Sequence, residues 1–418
     1  MKQTNFNQEL LKFLNTSPTP FHATLEICRQ LHKEGFIKLN EADIWDLKKG
    51  EKYYLTRNES SLIAFTYGSG DVSTEGVQML GAHTDSPCLK LKPNTVIHKK
   101  GYIQLGVEVY GGALLNPWFD RDLSLAGRVS GLNEEGELIH PLVDFKRPIA
   151  FIPSLAIHLD KEANKNRSIN AQTDIPPILM QSEESISFED ILIKETGLKE
   201  ILDFELMFYD TQAASLLGLN NEFLASARLD NLLSCYVGLQ AIKEASSKKS
   251  ALLICSDHEE VGSESTSGAA GTFLEMVLKR ICPVHEDYAR MVNASMMISA
   301  DNAHGVHPNF IAKHDENHGP LLNHGPVIKV NANQRYASNS QTISEFKLLC
   351  KKVEIPYQSF VTRTDMGCGS TIGPITATKI GVKTLDVGLP TFAMHSIRES
   401  AGDKDAYMLY RVLKAYFS

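Results

Sequence analysis

The sequence predicts an α/β protein: a mainly parallel sheet flanked by helices, interrupted by an inserted β-rich segment. Three observations carry this. Helix-like and strand-like runs alternate from about Ser226 onward, the pattern of a parallel α/β layer. Residues 94–160 instead carry short strand-like runs broken by Gly and Asn, the pattern of a β-rich unit. The chain, at 418 residues, is long enough for about two or three cores.

In order along the chain, Phe6 to Leu14 has helical apolar spacing, and Tyr53 to Tyr67 and Val77 to Leu80 read as strands. Tyr102–Val109, Leu123–Val129 and Ile149–Ile152 are the strand-like runs of the central segment, and Asp160 to Thr173 reads as an exposed polar loop. Leu232–Ala245 is a helix by spacing, while Ala251–Cys255, Ala294–Ser299 and Lys383–Val387 are short apolar runs suited to buried strands. The simplest division puts residues 1–92 and 226–418 in one α/β domain and 93–225 in an insertion.

Composition narrows the function classes. The formal net charge of −8 argues against a broad phosphate-binding surface, and so against nucleic acid. No run reaches the roughly 20 apolar residues that span a bilayer, and no secretory leader is expected at the N-terminus. The 7 cysteines are scattered, with no CxxC pair, which suits reduced thiols in a cytoplasm better than a disulfide framework.

The chemistry-bearing residues cluster at strand ends. Val77–Leu80 runs into His83 and Asp85, Ala251–Cys255 into Asp257-His258-Glu259-Glu260, and Met296–Ser299 into Asp301; Lys383–Val387 leads through a loop to His395. In a parallel α/β sheet, ligands collect beyond the carboxyl ends of the strands. Asp230 precedes the apolar helix, where capping is the commoner role of an Asp taken alone. Two divalent ions about 3.5–4 Å apart need a bridging carboxylate plus one His and one carboxylate each. His and carboxylates without cysteine suit Zn²⁺, Mn²⁺ or Co²⁺. Of Glu259 and Glu260, one can ligate while the other takes a proton. Asp85 is placed to orient His83. Each piece alone is common; together they point to a dinuclear hydrolase without choosing its substrate.

At these residues the sequence resembles the aspartyl aminopeptidase family of dinuclear zinc exopeptidases, which includes the vacuolar aminopeptidase branch. The blocks that carry the resemblance run from Ser17-Pro18-Thr19-Pro20-Phe21-His22-Ala23 through Gly81–Pro87, Trp118–Arg128, Asp257–Ser263, Ser299–Asp301 and His304–Asn309 to Met394–Glu399. The resemblance implies that His83 and Asp301 bind one metal, that Glu260 and His395 bind the other, and that Asp230 bridges them. It makes Glu259 the general base, acting on a hydroxide between the metals, and Asp85 the orienting acid. It implies a zinc-peptidase domain interrupted by a dimerisation domain, and dimers assembled into a dodecamer.

It further matches Lys329 to a position facing an acidic substrate side chain, and His158 to a histidine that reaches a neighbouring subunit's site. His304 is read as substrate-facing; His307 shares that reading, and His258 is read as packing. After Gly111-Gly112, Ala113-Leu114-Leu115 departs from the expected Gly-Ile-Trp-like run, which bears on assembly contacts rather than catalysis. The expected activity is removal of N-terminal Asp or Glu from peptides with a free amine. Three alternatives stay open: a preference for apolar N-terminal residues, a related deacylase or carboxypeptidase, and a silent scaffold.

Overall fold

The computed structural model describes residues 2–418, which divide into two compact units. The first comprises the chain up to Asp85, Ala214–Met394 and Glu399–Ser418; the second comprises Ser86–Ala213 and His395–Arg398.

The first unit is built on a nine-stranded sheet. Its order is Ile37–Lys38, Lys52–Arg57, Ser61–Thr66, Ser250–Ser256, Val77–His83, Met296–Ala300, Lys383–Gly388, Val327–Lys329 and Gln358–Phe360. The four central strands, from Ser250–Ser256 to Lys383–Gly388, are mutually parallel, so their carboxyl ends share one edge. These strands are almost continuously apolar and buried because both faces are covered. On one face lies Leu229–Lys243, buried on every side through Ile242, between the sheet and helices Gln3–Asn15, Pro20–Lys33 and Asp405–Tyr416. On the other, Phe273–Ile281 and His285–Ala294 contribute Phe273, Val277, Leu278 and Met291 to a separate core with Met79 and Leu252. Thr19 caps Pro20–Lys33 by accepting from His22 N–H, with Pro20 in the first turn.

A smaller five-stranded sheet of the same unit contains Phe223–Ser226 and Glu399–Gly402, paired antiparallel, with Ala303–His304 at its far edge. Among the described residues, no helix is long and apolar enough to cross a membrane.

The second unit is a seven-stranded antiparallel sheet. Its long strands are Cys88–Lys99, Tyr102–Tyr110, Leu123–Leu132 and Glu200–Asp210, and one helix, Phe188–Thr196, contributes Phe188 and Leu192 to its core.

Two local readings need correction. Tyr53 to Tyr67 is not one strand: Lys52–Arg57 and Ser61–Thr66 form a hairpin, turned at Asn58 and Glu59 with φ of 53° and 55°. The three residues between the paired Arg57 and Ser61, Asn58-Glu59-Ser60, include no glycine, so the usual hairpin signal is missing. Ile149–Ile152 forms only isolated bridges, Ala150 to Leu123 and Phe151 to Ile178.

Candidate active site

The strand Val77–His83 carries His83 to the shared edge, and neighbouring strand ends bring the acids around it. His83 Nε2 lies 3.3 Å from Asp230 Oδ1, 3.6 Å from Asp301 Oδ1 and 4.0 Å from Glu259 Oε2. His83, Asp230 and Asp301 all offer donor atoms within 4.8 Å of one another, as do His83, Glu259 and Glu260. The ring is buried, at 1% exposure, and its back is fixed by Nδ1, which donates to the Asp85 carbonyl at 3.0 Å. In the neutral ring that bond leaves Nε2 as the lone-pair nitrogen facing the acids; in the protonated ring Nε2 donates to them.

Asp85 does more than flank His83. Its two carboxylate oxygens accept the backbone N–H groups of Glu259 and Glu260, both at 3.1 Å, which fixes the turn that presents those side chains. Asp230 does not cap the helix as its position suggests. Arg228 precedes that helix with φ 61° and is held by Ser17 O at 3.0 Å, while Asp230 is buried and turned toward His83. Asp301 is held from behind by Lys329, whose Nζ donates to Oδ2 at 3.1 Å.

Crowding of buried acids sets the electrostatics. Burial, and then the charges of Asp301, Asp230 and Asp85, push the Glu259 carboxyl up to about 8 against the opposing pull of His83. Burial and Asp230 likewise raise Glu260 well above the usual carboxylate range. Asp301 goes the other way: Lys329 and His83 overcome its burial and hold it low. Burial would lower His83, but hydrogen bonds to Asp230, Asp301 and Asp85 raise it. An imidazole nitrogen with convergent carboxylate oxygens, and no thiolate among them, fits a divalent cation of the Zn²⁺ kind.

The other expected residues lie as follows. His395 is in the second unit, its Nδ1 hydrogen-bonded to Gly112 O at 3.1 Å. His158 is exposed on the second unit. His304 is exposed, edge-on to Phe360, and the His307 ring meets those of Phe310 and Phe392 at a tilt. His258 bonds Ser265 Oγ at 2.8 Å, which fits packing. Lys329 is 3% exposed, where lysines are ordinarily on the surface.

Sequence reasoning missed two supports. Glu399 Oε2 accepts Asp230 N–H at 2.9 Å, and the Asn231 side chain donates to Ala300 O at 2.8 Å. Glu399 stood at the end of a block already singled out; nothing local marks Asn231.

The family model described as "Aminopeptidase I zinc metalloprotease (M18)" matches residues 13–417. The chain belongs to the M18 family. Among its relatives is "Probable M18 family aminopeptidase 2" of Ectopseudomonas mendocina, 56% identical over 98% of this chain and 97% of that one. Ape4 in a complex with Nbr1 is 39% identical, with a TM-score of 0.96 over 99% of this chain and 86% of that chain. The S. cerevisiae mApe1 dodecamer structure is 27% identical, with a TM-score of 0.86 over 98% and 96% of the two chains. The M18 protein is therefore a zinc metallo-aminopeptidase, a peptide hydrolase, and the deacylase and scaffold alternatives fall away.

Proposed function

We propose that this M18 enzyme removes N-terminal Asp or Glu from peptides with a free α-amine, using two divalent ions. His83 and Asp301 would hold one, Glu260 and His395 the other, with Asp230 between them. The observation that carries the reading is the convergence of Asp230, Asp301 and Glu259 on His83 Nε2 within 4.0 Å. For His395, the Nδ1 bond to Gly112 O makes Nε2 the lone-pair nitrogen, as a ligand requires.

When bound, the ions supply Lewis acidity toward the scissile carbonyl and lower the cost of deprotonating water. Zinc is the first choice, with Co²⁺ or Mn²⁺ able to serve the same donors. Glu259 takes the proton of the attacking water and returns it to the leaving amine. Asp85 holds Glu259 and Glu260 at their backbone amides, so that the base and its ligating neighbour keep separate directions. His304, exposed beside Phe360, is assigned to the substrate side.

The acidic preference rests on Lys329, a buried cation against Asp301. A preference for apolar N-terminal residues is the second reading, and one observation favours it: Lys329 already donates to Asp301 and to Asn302 O. Initial rates on peptides differing only in the first residue, after chelation and metal add-back, decide between them. Cleavage of Leu but not Asp peptides would overturn the acidic preference; no metal-dependent cleavage at all would overturn the site.

The assembly proposed is a homo-oligomer of dimers, a dodecamer as in the mApe1 structure, paired through the second unit. That unit exposes Leu155, Ile157 and Leu159 around His158, an apolar run suited to a partner surface, and His158 would reach the partner's site. All seven cysteines are free, which fits a reducing, cytoplasmic setting, without nucleic-acid or membrane partners.

A further inference from the structure

Asp230 reaches the site from a stretch that departs from helical geometry. At the head of Leu229–Lys243, Asp230 has φ −85° and ψ 105°, and Asn231 has φ −125° and ψ 31°. The first N–H groups of a helix lack partners within it, so ties to other elements set the direction of this stretch. One tie is the bond from Asp230 N–H to Glu399. The other comes from Asn231, which is fully buried and whose Nδ2 donates to Ala300 O at 2.8 Å.

Ala300 is the last residue of the strand Met296–Ala300, and Asp301 follows it directly. The pairing of that strand with Val77–His83 ends at Ser299 and Gly81, so the Ala300 carbonyl stands just past the ladder, where a side-chain amide reaches it. Asp301 is pinned by its own N–H, which donates to Val387 O at 2.9 Å. The Asn231–Ala300 bond thus joins the residue after Asp230 to the residue before Asp301. Both acids are buried, and each offers an oxygen within 4.8 Å of the other's. Like charges so close repel, and the repulsion pushes apart the main chains that carry them unless those chains are tied.

We propose that Asn231 is a positioning residue for the metal site: its bond to Ala300 O sets the separation of Asp230 and Asp301 and keeps the two carboxylates converged. This role presupposes that Asp230 and Asp301 hold ions, as proposed above. The side chain suits it, since a short neutral amide supplies a donor without adding charge to a crowded set of acids.

The test is a zinc titration of the full-length protein against a competing chelator, for wild type, Asn231→Ala, Asp301→Asn and the double variant. Ala removes the donor without adding volume to a filled site. Asn231→Ser, whose hydroxyl ends one atom shorter than the amide, serves if Asn231→Ala fails to fold, as judged by its circular dichroism melt. Supporting partners of metal ligands contribute roughly 10–100-fold in affinity, and a loss of that size is expected for Asn231→Ala. In the double variant the loss should fall well short of the two single losses multiplied, because both changes act on one pair of ligands. With Co²⁺ in place of zinc, the visible absorption band of Asn231→Ala should differ from that of wild type, as a changed ligand spacing requires.

Wild-type zinc affinity in Asn231→Ala, beside a clear loss in Asp301→Asn, overturns the inference and leaves the ligand reading intact. So do losses that multiply fully in the double variant, or a Co²⁺ band identical to that of wild type; either makes Asn231 a packing residue alone. Wild-type zinc affinity in Asp301→Asn overturns the ligand reading itself, and the role of Asn231 with it.

Discussion

Glu399 Oε2 accepts the backbone N–H of Asp230 at 2.9 Å, and the glutamate is 1% exposed. The bond ties the strand Glu399–Gly402 to the residue that faces His83, and it holds the main chain where Asp230 leaves helical geometry. Glu399→Ala is expected to weaken zinc binding by roughly 10–100-fold while leaving the protein folded. Chelator competition with a melting curve on the same sample checks both halves; unchanged affinity would reduce Glu399 to a packing group.

Glu259→Gln keeps the shape of the side chain and removes its ability to take a proton. The turnover number is expected to fall by about 10²–10⁴-fold or more, with zinc content close to wild type. Metal analysis alongside steady-state rates gives the answer. A fully active variant would move the base elsewhere.

Asp85→Ala takes the acceptor from two backbone amides at once, those of Glu259 and Glu260. Each unmet buried N–H costs about 1–3 kcal/mol, so a clear drop in stability is expected together with a loss of activity. Urea unfolding monitored by fluorescence reads the first and peptide hydrolysis the second. Stability equal to wild type would show that the turn holds itself.

Asp405, at the start of helix Asp405–Tyr416, offers a pH test. Burial pushes its carboxyl up to about 6, against N–H groups of Asn323 and Gly325 that hold it down. An unfolded Asp titrates at about 3.9, so the folded state keeps this proton longer than the unfolded one. The stabilising contribution is complete below about pH 4 and is lost as the pH rises through about 6. Asp405→Asn should carry a constant offset from its changed hydrogen bonds, and the difference in stability between variant and wild type should shift by on the order of 2–3 kcal/mol in the variant's favour between pH 4 and pH 7. A difference that stays flat with pH would place the raised group elsewhere.

The large sheet and the cluster of His and acids at its carboxyl edge were legible because buried parallel strands are nearly pure apolar runs, and a His, Asp or Glu just past each run stands out. His83, Asp301 and the Glu259-Glu260 pair were found that way. What was not legible depends on contacts between distant segments. The double clasp of Asp85, the turn of Asp230 away from capping and the burial of Lys329 have no periodic signature. The hairpin at Asn58-Glu59 was hidden for a local reason, since both flanking strands are apolar and the turn lacks its usual glycine.

The residues that face His83 come from well-separated parts of the chain. During synthesis His83 emerges early, Asp230 and Glu260 follow only after the whole second sheet has been made, and Asp301 comes later still. On the proposed ligand set, capture of the ion needs a chain synthesised past Asp301. A chain ending before Asp301 is expected to hold zinc no better than an unfolded peptide, and equilibrium dialysis of such a truncation would show it.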